Sequence, residues 1–190
     1  FDCIYCQVDR TTPPELREVH EEELLAELES VLSRAKDGSL YREPRFAAVD
    51  AARRRLSDIS FAGDGEPTSY PRFKEVVASV AALKERLELS GLKIAVLTNC
   101  TLLDRPAVKE ALGILDRSDG EIWAKLDAGT EEYYEKVCIP GGARFAKILS
   151  NILEASRTRP VVIQSLFLAL EGEGPTDGEI DPYCARLNEI

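Results

Sequence analysis

Apolar residues along this chain fall into two kinds of stretch, some spaced at the helical period and some in short unbroken runs. Leu24, Leu25, Leu28, Val31, Leu32 and Ala35 follow the 3.6-residue period behind an acidic first turn. They predict a helix from about His20 to a stop at Asp37-Gly38. Phe73, Val76, Val77, Val80 and Leu87 predict a second helix, closed by Ser90-Gly91. Asp104 is the expected cap of a third, with Pro106 in its first turn and Leu112 and Leu115 on its inner face. Thr130 caps a fourth that runs through Tyr133 and Val137. After a Pro140-Gly141-Gly142 turn, Phe145, Ile148, Leu149, Ile152 and Leu153 mark a fifth. A last helix follows the turn from Gly172 to Gly178.

Between these helices lie runs without alternation. Asp58 to Ala62, Lys93 to Leu97, Glu121 to Leu126 and Pro160 to Leu168 read as strands, the last interrupted by Gln164. Continuous apolar strands are those buried on both faces, as in a parallel sheet. Residues 38–56 lack a clean period and read as a surface insertion, with a short helix near 47–55. Strand then helix, repeated four times, makes this an α/β chain with a parallel sheet and helices outside it. Two architectures fit, an open doubly wound sheet and a (β/α) barrel or part-barrel.

In either architecture the reactive edge lies at the C-terminal ends of the strands, and the polar residues collect there. Gly63-Asp64-Gly65-Glu66-Pro67-Thr68 follows the first strand, Thr98-Asn99 the second, and Lys125 and Asp127 close the third. Glycine lets backbone come near something bulky, and Pro67 stops the strand. Gln164 lies inside its strand, where a buried amide needs a hydrogen-bond partner or a ligand. Cys3 and Cys6 open the chain at Cys-x2-Cys spacing, which serves zinc sites and thioredoxin-like redox sites and also arises by accident. A polar loop from Gln7 to Pro14 follows. His20, the only histidine, has no partner nearby in sequence and reads as structural.

The 190 residues suffice for one domain with a real core. The hydrophobic share of 44% and the charged share of 31% are ordinary for a globular chain. No apolar run approaches a membrane span, so no membrane partner is expected. Five cysteines are an odd number in a chain too large to need disulfides, which points to a reducing, cytoplasmic compartment. Cys100, Cys138 and Cys184 are widely and irregularly spaced and read as buried free cysteines. A net charge of −10, from 24 basic and 34 acidic residues, argues against non-specific nucleic-acid binding. The one basic cluster, Arg53-Arg54-Arg55, reads as a solvated surface run. With no Met at position 1 and none elsewhere, the sequence reads as a piece of a longer chain, cut at both ends.

Together the motifs resemble a family. Cys3-Ile4-Tyr5-Cys6 resembles the latter part of the Cys-x3-Cys-x-aromatic-Cys motif of radical S-adenosylmethionine (SAM) enzymes. Gly63-Asp64-Gly65-Glu66-Pro67-Thr68 resembles the Gly-Glu motif that follows their second strand. Thr98-Asn99, Lys125-Leu126-Asp127-Ala128 and Gln164 fall where the next three strands of that fold end. The set is most similar to the bacterial branch related to wyosine-base tRNA-modifying enzymes. The resemblance implies a single, partial radical SAM domain over 1–190, holding strands two to five of a six-stranded (β/α) part-barrel. It implies a [4Fe–4S] cluster held by three thiolates, Cys3 and Cys6 among them, with the first cysteine two residues before Phe1. SAM would chelate the open iron, with Tyr5 near the adenine. The Gly63–Glu66 motif would lie at the methionine end, with Gly65 and Glu66 on the methionine ammonium. Asn99, Asp127 and Gln164 would serve the ribose and carboxylate, and Lys125 the SAM carboxylate or a substrate anion. The implied activity is reductive cleavage of SAM to a 5′-deoxyadenosyl radical that abstracts hydrogen from an unknown substrate. That substrate is a small molecule, a peptide or a tRNA base, and the reductant a flavodoxin or ferredoxin. Two other readings remain: a zinc- or thiol-redox protein using Cys3 and Cys6, and a non-catalytic scaffold of the same fold.

Overall fold

The computed structural model describes residues 1–9, 11–12 and 19–190. Within the loop expected after Cys6, Arg10 and the Pro13-Pro14 pair lie outside the described residues. Helix α1 spans Glu21–Lys36, with three glutamates in its first turn and Arg34 and Lys36 in its last, which suits the helix dipole. Residues 39–56 hold two short 3₁₀ turns, Ser39–Arg42 and Ala51–Arg53, in place of the expected helix near 47–55. The Arg54 guanidinium explains the irregular path, because it donates to the carbonyls of Val49 (3.0 Å) and Ala47 (3.3 Å) and holds a loop.

Strands β1 (Asp58–Phe61), β2 (Lys93–Thr98), β3 (Gly120–Lys125) and β4 (Val161–Gln164) form one parallel sheet in the order β1-β2-β3-β4. The crossovers carry α2 (Phe73–Arg86), α3 (Pro106–Asp116) and then α4 (Glu131–Cys138) with α5 (Phe145–Ser156). Each strand's neighbour in space is also its neighbour in sequence. That progressive winding builds a barrel wall, whereas a doubly wound sheet reverses its order at a switch point. Register puts Phe61, Val96, Ile122 and Val161 in one row, and Thr98, Ala124 and Ile163 in the next. This face meets Val76, Val77 and Val80 of α2, Leu112 and Leu115 of α3, and Ile148 and Ile152 of α5 in a single buried core. The opposite face carries Ser60, Leu97, Trp123 and Val162, with Lys125 and Gln164 in register at its C-terminal rim.

Three local expectations are corrected. Asp104 does not cap α3; the cap position is Arg105, in extended conformation, and Asp104 pairs with Lys147 at 3.2 Å. Pro106 at the first helical position forces its predecessor out of the helical region. Strand β4 ends at Gln164 rather than Leu168, because beyond it side chains replace the ladder. Ser165 Oγ donates to the Leu126 carbonyl (2.6 Å), and the Leu166 N–H donates to Asp127 Oδ1 (2.7 Å). Gln164 is therefore a half-buried residue at the strand's end, not a buried one inside it. The last helix, α6, covers Asp177–Glu189 and begins before Gly178. Among the described residues no helix is long and apolar enough to cross a membrane.

Helix α6 lies across the end of β3. The Glu179 carboxylate is buried and accepts hydrogen bonds from the Gly129 N–H, the Thr130 N–H (3.1 Å) and the Thr130 hydroxyl (2.5 Å). A Cβ at Gly129 would sit 2.2 Å from the Tyr183 nitrogen and 2.6 Å from its Cα. Backbone cannot yield as a side chain does, so Gly129→Ala must lift α6. A loss of about 3 kcal/mol is expected, the upper end of over-packing costs, read as a lower denaturant midpoint.

Candidate functional site

The segment Phe1–Cys6 lies against the C-terminal end of α4. The Asp2 N–H donates to the Ile139 carbonyl (3.1 Å) and the Ile4 N–H to the Val137 carbonyl (3.0 Å). The Phe1 ring meets Tyr134 edge-on at 6.0 Å, and Tyr134 stacks on Phe145 at 4.9 Å. The Cys6 N–H donates to the Cys3 carbonyl (2.9 Å), closing a turn with both cysteines half-buried. The side chains of Cys3, Tyr5 and Cys138 line one small cavity. The Cys138 thiol beside it, against the opposing effect of burial, draws the Cys3 thiol below its ordinary value. The same proximity, together with burial, pushes the Cys138 thiol up.

Tyr5 carries this segment to the sheet. Its hydroxyl donates to Asp127 Oδ2 at 2.5 Å. Asp127 Oδ1 accepts from the Leu166 N–H and pairs with Lys125 Nζ at 3.0 Å, and that ammonium stands 5.2 Å over the Tyr5 ring. Burial first, and then the Asp127 hydrogen bond, raise the Tyr5 phenol far above its ordinary value. The side chain of Asp127 is 2% exposed and that of Lys125 26%. The carboxylate thus works inside the wall while the ammonium reaches the rim.

On the other side, β1 leads into Gly63, whose φ of 151° suits glycine and few other residues. Gly65 has no such requirement. The Glu66 carboxylate ties two strand ends together. Its Oε1 accepts from the Thr68 N–H (3.2 Å), the Thr68 hydroxyl (2.5 Å) and the Thr98 hydroxyl (2.7 Å), and its Oε2 from the Asn99 N–H (2.8 Å). Asn99 Oδ1 in turn accepts from Thr101 N–H (3.1 Å) and hydroxyl (2.6 Å). Cys100 is fully buried at φ 63°, its carbonyl held by Asn151 Nδ2 at 2.7 Å. Burial, then the Glu66 charge, raise its thiol.

Most of the predicted residues divide between two hollows, while Cys6 and Gln164 line neither. Cys3, Tyr5, Asn99, Lys125 and Asp127 line a cavity of about 80 Å³ together with Cys138. Gly63, Gly65 and Glu66 line a hollow of about 400 Å³ at the open edge of β1. The Glu66–Asn99 hydrogen bond joins the two, and Gln164 stands beside Lys125 in the sheet register. Sequence reasoning missed the place of Cys138, which reaches the cavity from a separation that no local pattern encodes, and Cys184, read as buried, is exposed. Among the described residues no three His, Cys, Asp or Glu side chains converge as a metal site. Cys3 and Cys6, free thiols brought together half-buried in one tight turn, fit as two of the three thiolates a [4Fe–4S] cluster takes.

A family profile described as "Radical SAM superfamily" matches residues 1–181. The chain belongs to the radical SAM superfamily. A "UPF0026 protein" of Helicobacter pylori strain 26695 is 24% identical over 190 residues, covering all of this chain and 54% of that protein. The "GTPase Obg" of Brachyspira hyodysenteriae is 24% identical over 194 residues, covering all of this chain and 24% of its own length. The chain thus spans about half the length of the Helicobacter relative. Two solved structures share its fold, each with a TM-score of 0.51: "TYW1 with a lysine-pyruvate adduct bound", 22% identical over 87% of this chain and 51% of that one, and "archaeal TYW1", 18% identical over 97% and 58%. They agree with the part-barrel winding.

Proposed function

We propose that this chain is the cluster- and SAM-binding part of a radical SAM enzyme. The observation that carries the reading is the placement of the Cys3–Cys6 turn. It is hydrogen-bonded to the end of α4 and joined through Tyr5 to Asp127 and Lys125, at the C-terminal ends of parallel strands. Bound there, the [4Fe–4S] cluster and SAM supply reductive cleavage to a 5′-deoxyadenosyl radical for hydrogen abstraction. The chain's own residues bind, orient and shield. Cys3 and Cys6 hold iron. Tyr5 flanks the adenine, its ring orientation set by Asp127. Backbone acceptors at Gly63 and Gly65 and the negative charge of Glu66 suit an ammonium. Asn99, whose Oδ1 is taken by Thr101, offers its amide N–H groups to the ribose or carboxylate, as does Gln164 beside Lys125. Lys125, at the rim, pairs with the SAM carboxylate or a substrate anion.

The substrate is a small molecule, a peptide or a tRNA base, the last supported by the TYW1-like fold. A flavodoxin or ferredoxin in the cytoplasm supplies the electron. The test uses the complete protein, purified without oxygen, reconstituted with iron and sulfide, and reduced. A [4Fe–4S] electron paramagnetic resonance signal that shifts on adding SAM, with 5′-deoxyadenosine formed, supports the reading; zinc or no metal overturns it. Glu66→Ala is expected to keep the cluster and weaken SAM binding about tenfold, the worth of one charge-assisted hydrogen bond. An unchanged SAM titration takes Glu66 out of the site.

A further inference from the structure

We infer that Cys138 is a positioning residue for the cluster, its thiol donating an S–H···S hydrogen bond to the Cys3 sulfur and raising the cluster's reduction potential. The inference rests on the reading that Cys3 is a cluster ligand. Its geometry comes from the backbone. Asp2 pairs with Ile139 and Ile4 with Val137, in opposite chain directions. Cys3 therefore stands opposite Cys138, and the two side chains line the same small cavity. Ile139 allows this by ending α4 at φ 40°, a left-handed conformation unusual for a β-branched residue, with its carbonyl taken by the Asp2 N–H.

The chemistry assigns the direction of the bond. A metal-bound Cys3 is a thiolate and can only accept, so the proton belongs to Cys138, which is 4% exposed at the end of α4. Cys138 stands beside one ligand and does not complete a set, since no three metal-binding side chains converge among the described residues. A donor to a ligand sulfur withdraws charge and stabilises the reduced, more negative cluster, which raises its potential.

The complete protein, reconstituted as above, gives the test. Midpoint potentials are read by redox titration of the reduced-cluster resonance in wild type, Cys138→Ala and Cys138→Ser. At equal iron and sulfide content, Cys138→Ala is expected to shift to a more negative potential. Cys138→Ser, which keeps an O–H donor, stays closer to wild type. After exchange into deuterium oxide, wild type shows a coupled exchangeable deuteron that Cys138→Ala lacks. If Cys138→Ala loads poorly, Cys138→Val fills the volume without a donor and takes its place. Equal potentials at equal loading overturn the inference and leave the cluster assignment standing. Loss of the cluster from both Ala and Val variants makes Cys138 a ligand and also overturns it. A wild type without cluster overturns the assignment itself.

Discussion

Alanine at Cys3 or at Cys6 abolishes cluster assembly in the complete protein. A methyl group offers iron no donor, and two thiolates in one tight turn cannot substitute for each other. The fold should survive. The segment is held to α4 by the backbone groups of Asp2 and Ile4, and its turn by the Cys6 N–H, none of which needs a sulfur. Iron and sulfide analysis, with circular dichroism as the control, separates lost ligation from lost structure. Full iron and sulfide in either variant removes that cysteine from the ligand set.

Asp127→Ala is expected to destabilise the protein by about 3 kcal/mol, the low end for breaking a buried pair because Lys125 keeps some contact with water. The substitution strands the Tyr5 hydroxyl and the Leu166 N–H and leaves Lys125 without its carboxylate. It also cuts the side-chain link between the cysteine turn and the sheet, so cluster loading should fall together with the denaturant midpoint. Asp127→Asn has the same shape and keeps an acceptor for one of the two neutral donors. It should lose roughly half as much, because the Tyr5 hydroxyl can turn to accept from the new amide, which leaves the charge on Lys125 unanswered. Equal midpoints for Asp127→Ala and wild type would show that the Tyr5–Asp127–Lys125 group carries no stability.

The two patterns of apolar residues determined the element order. Unbroken apolar runs at Lys93–Leu97 and Glu121–Leu126 and 3.6-period stripes such as Phe73, Val76, Val77 and Val80 each answer to one local geometry, so they are readable without neighbours. The same holds for the Thr130 cap, whose partner lies three residues away. The cysteine spacing and the Gly-Asp-Gly-Glu stretch were legible for the same reason, because a turn that carries ligands is a short-range object.

Tertiary structure decided the rest. Barrel winding over a doubly wound sheet depends on which strands pair, and no strand states its neighbour. Gln164 moved from the interior of a strand to its end because Asp127 and Ser165 capture the chain from across the sheet. Glu66 turned out to be held by Thr98 and Asn99, more than thirty residues away. Cys138, an isolated cysteine in the sequence, faces Cys3 through a backbone register at a separation of more than a hundred residues. Periodicity and turn chemistry are written within a few residues, so the sequence alone determined the elements and the candidate ligands. A hydrogen bond between distant segments exists only once packing brings them together, so the partners that give those residues their roles belong to the folded chain.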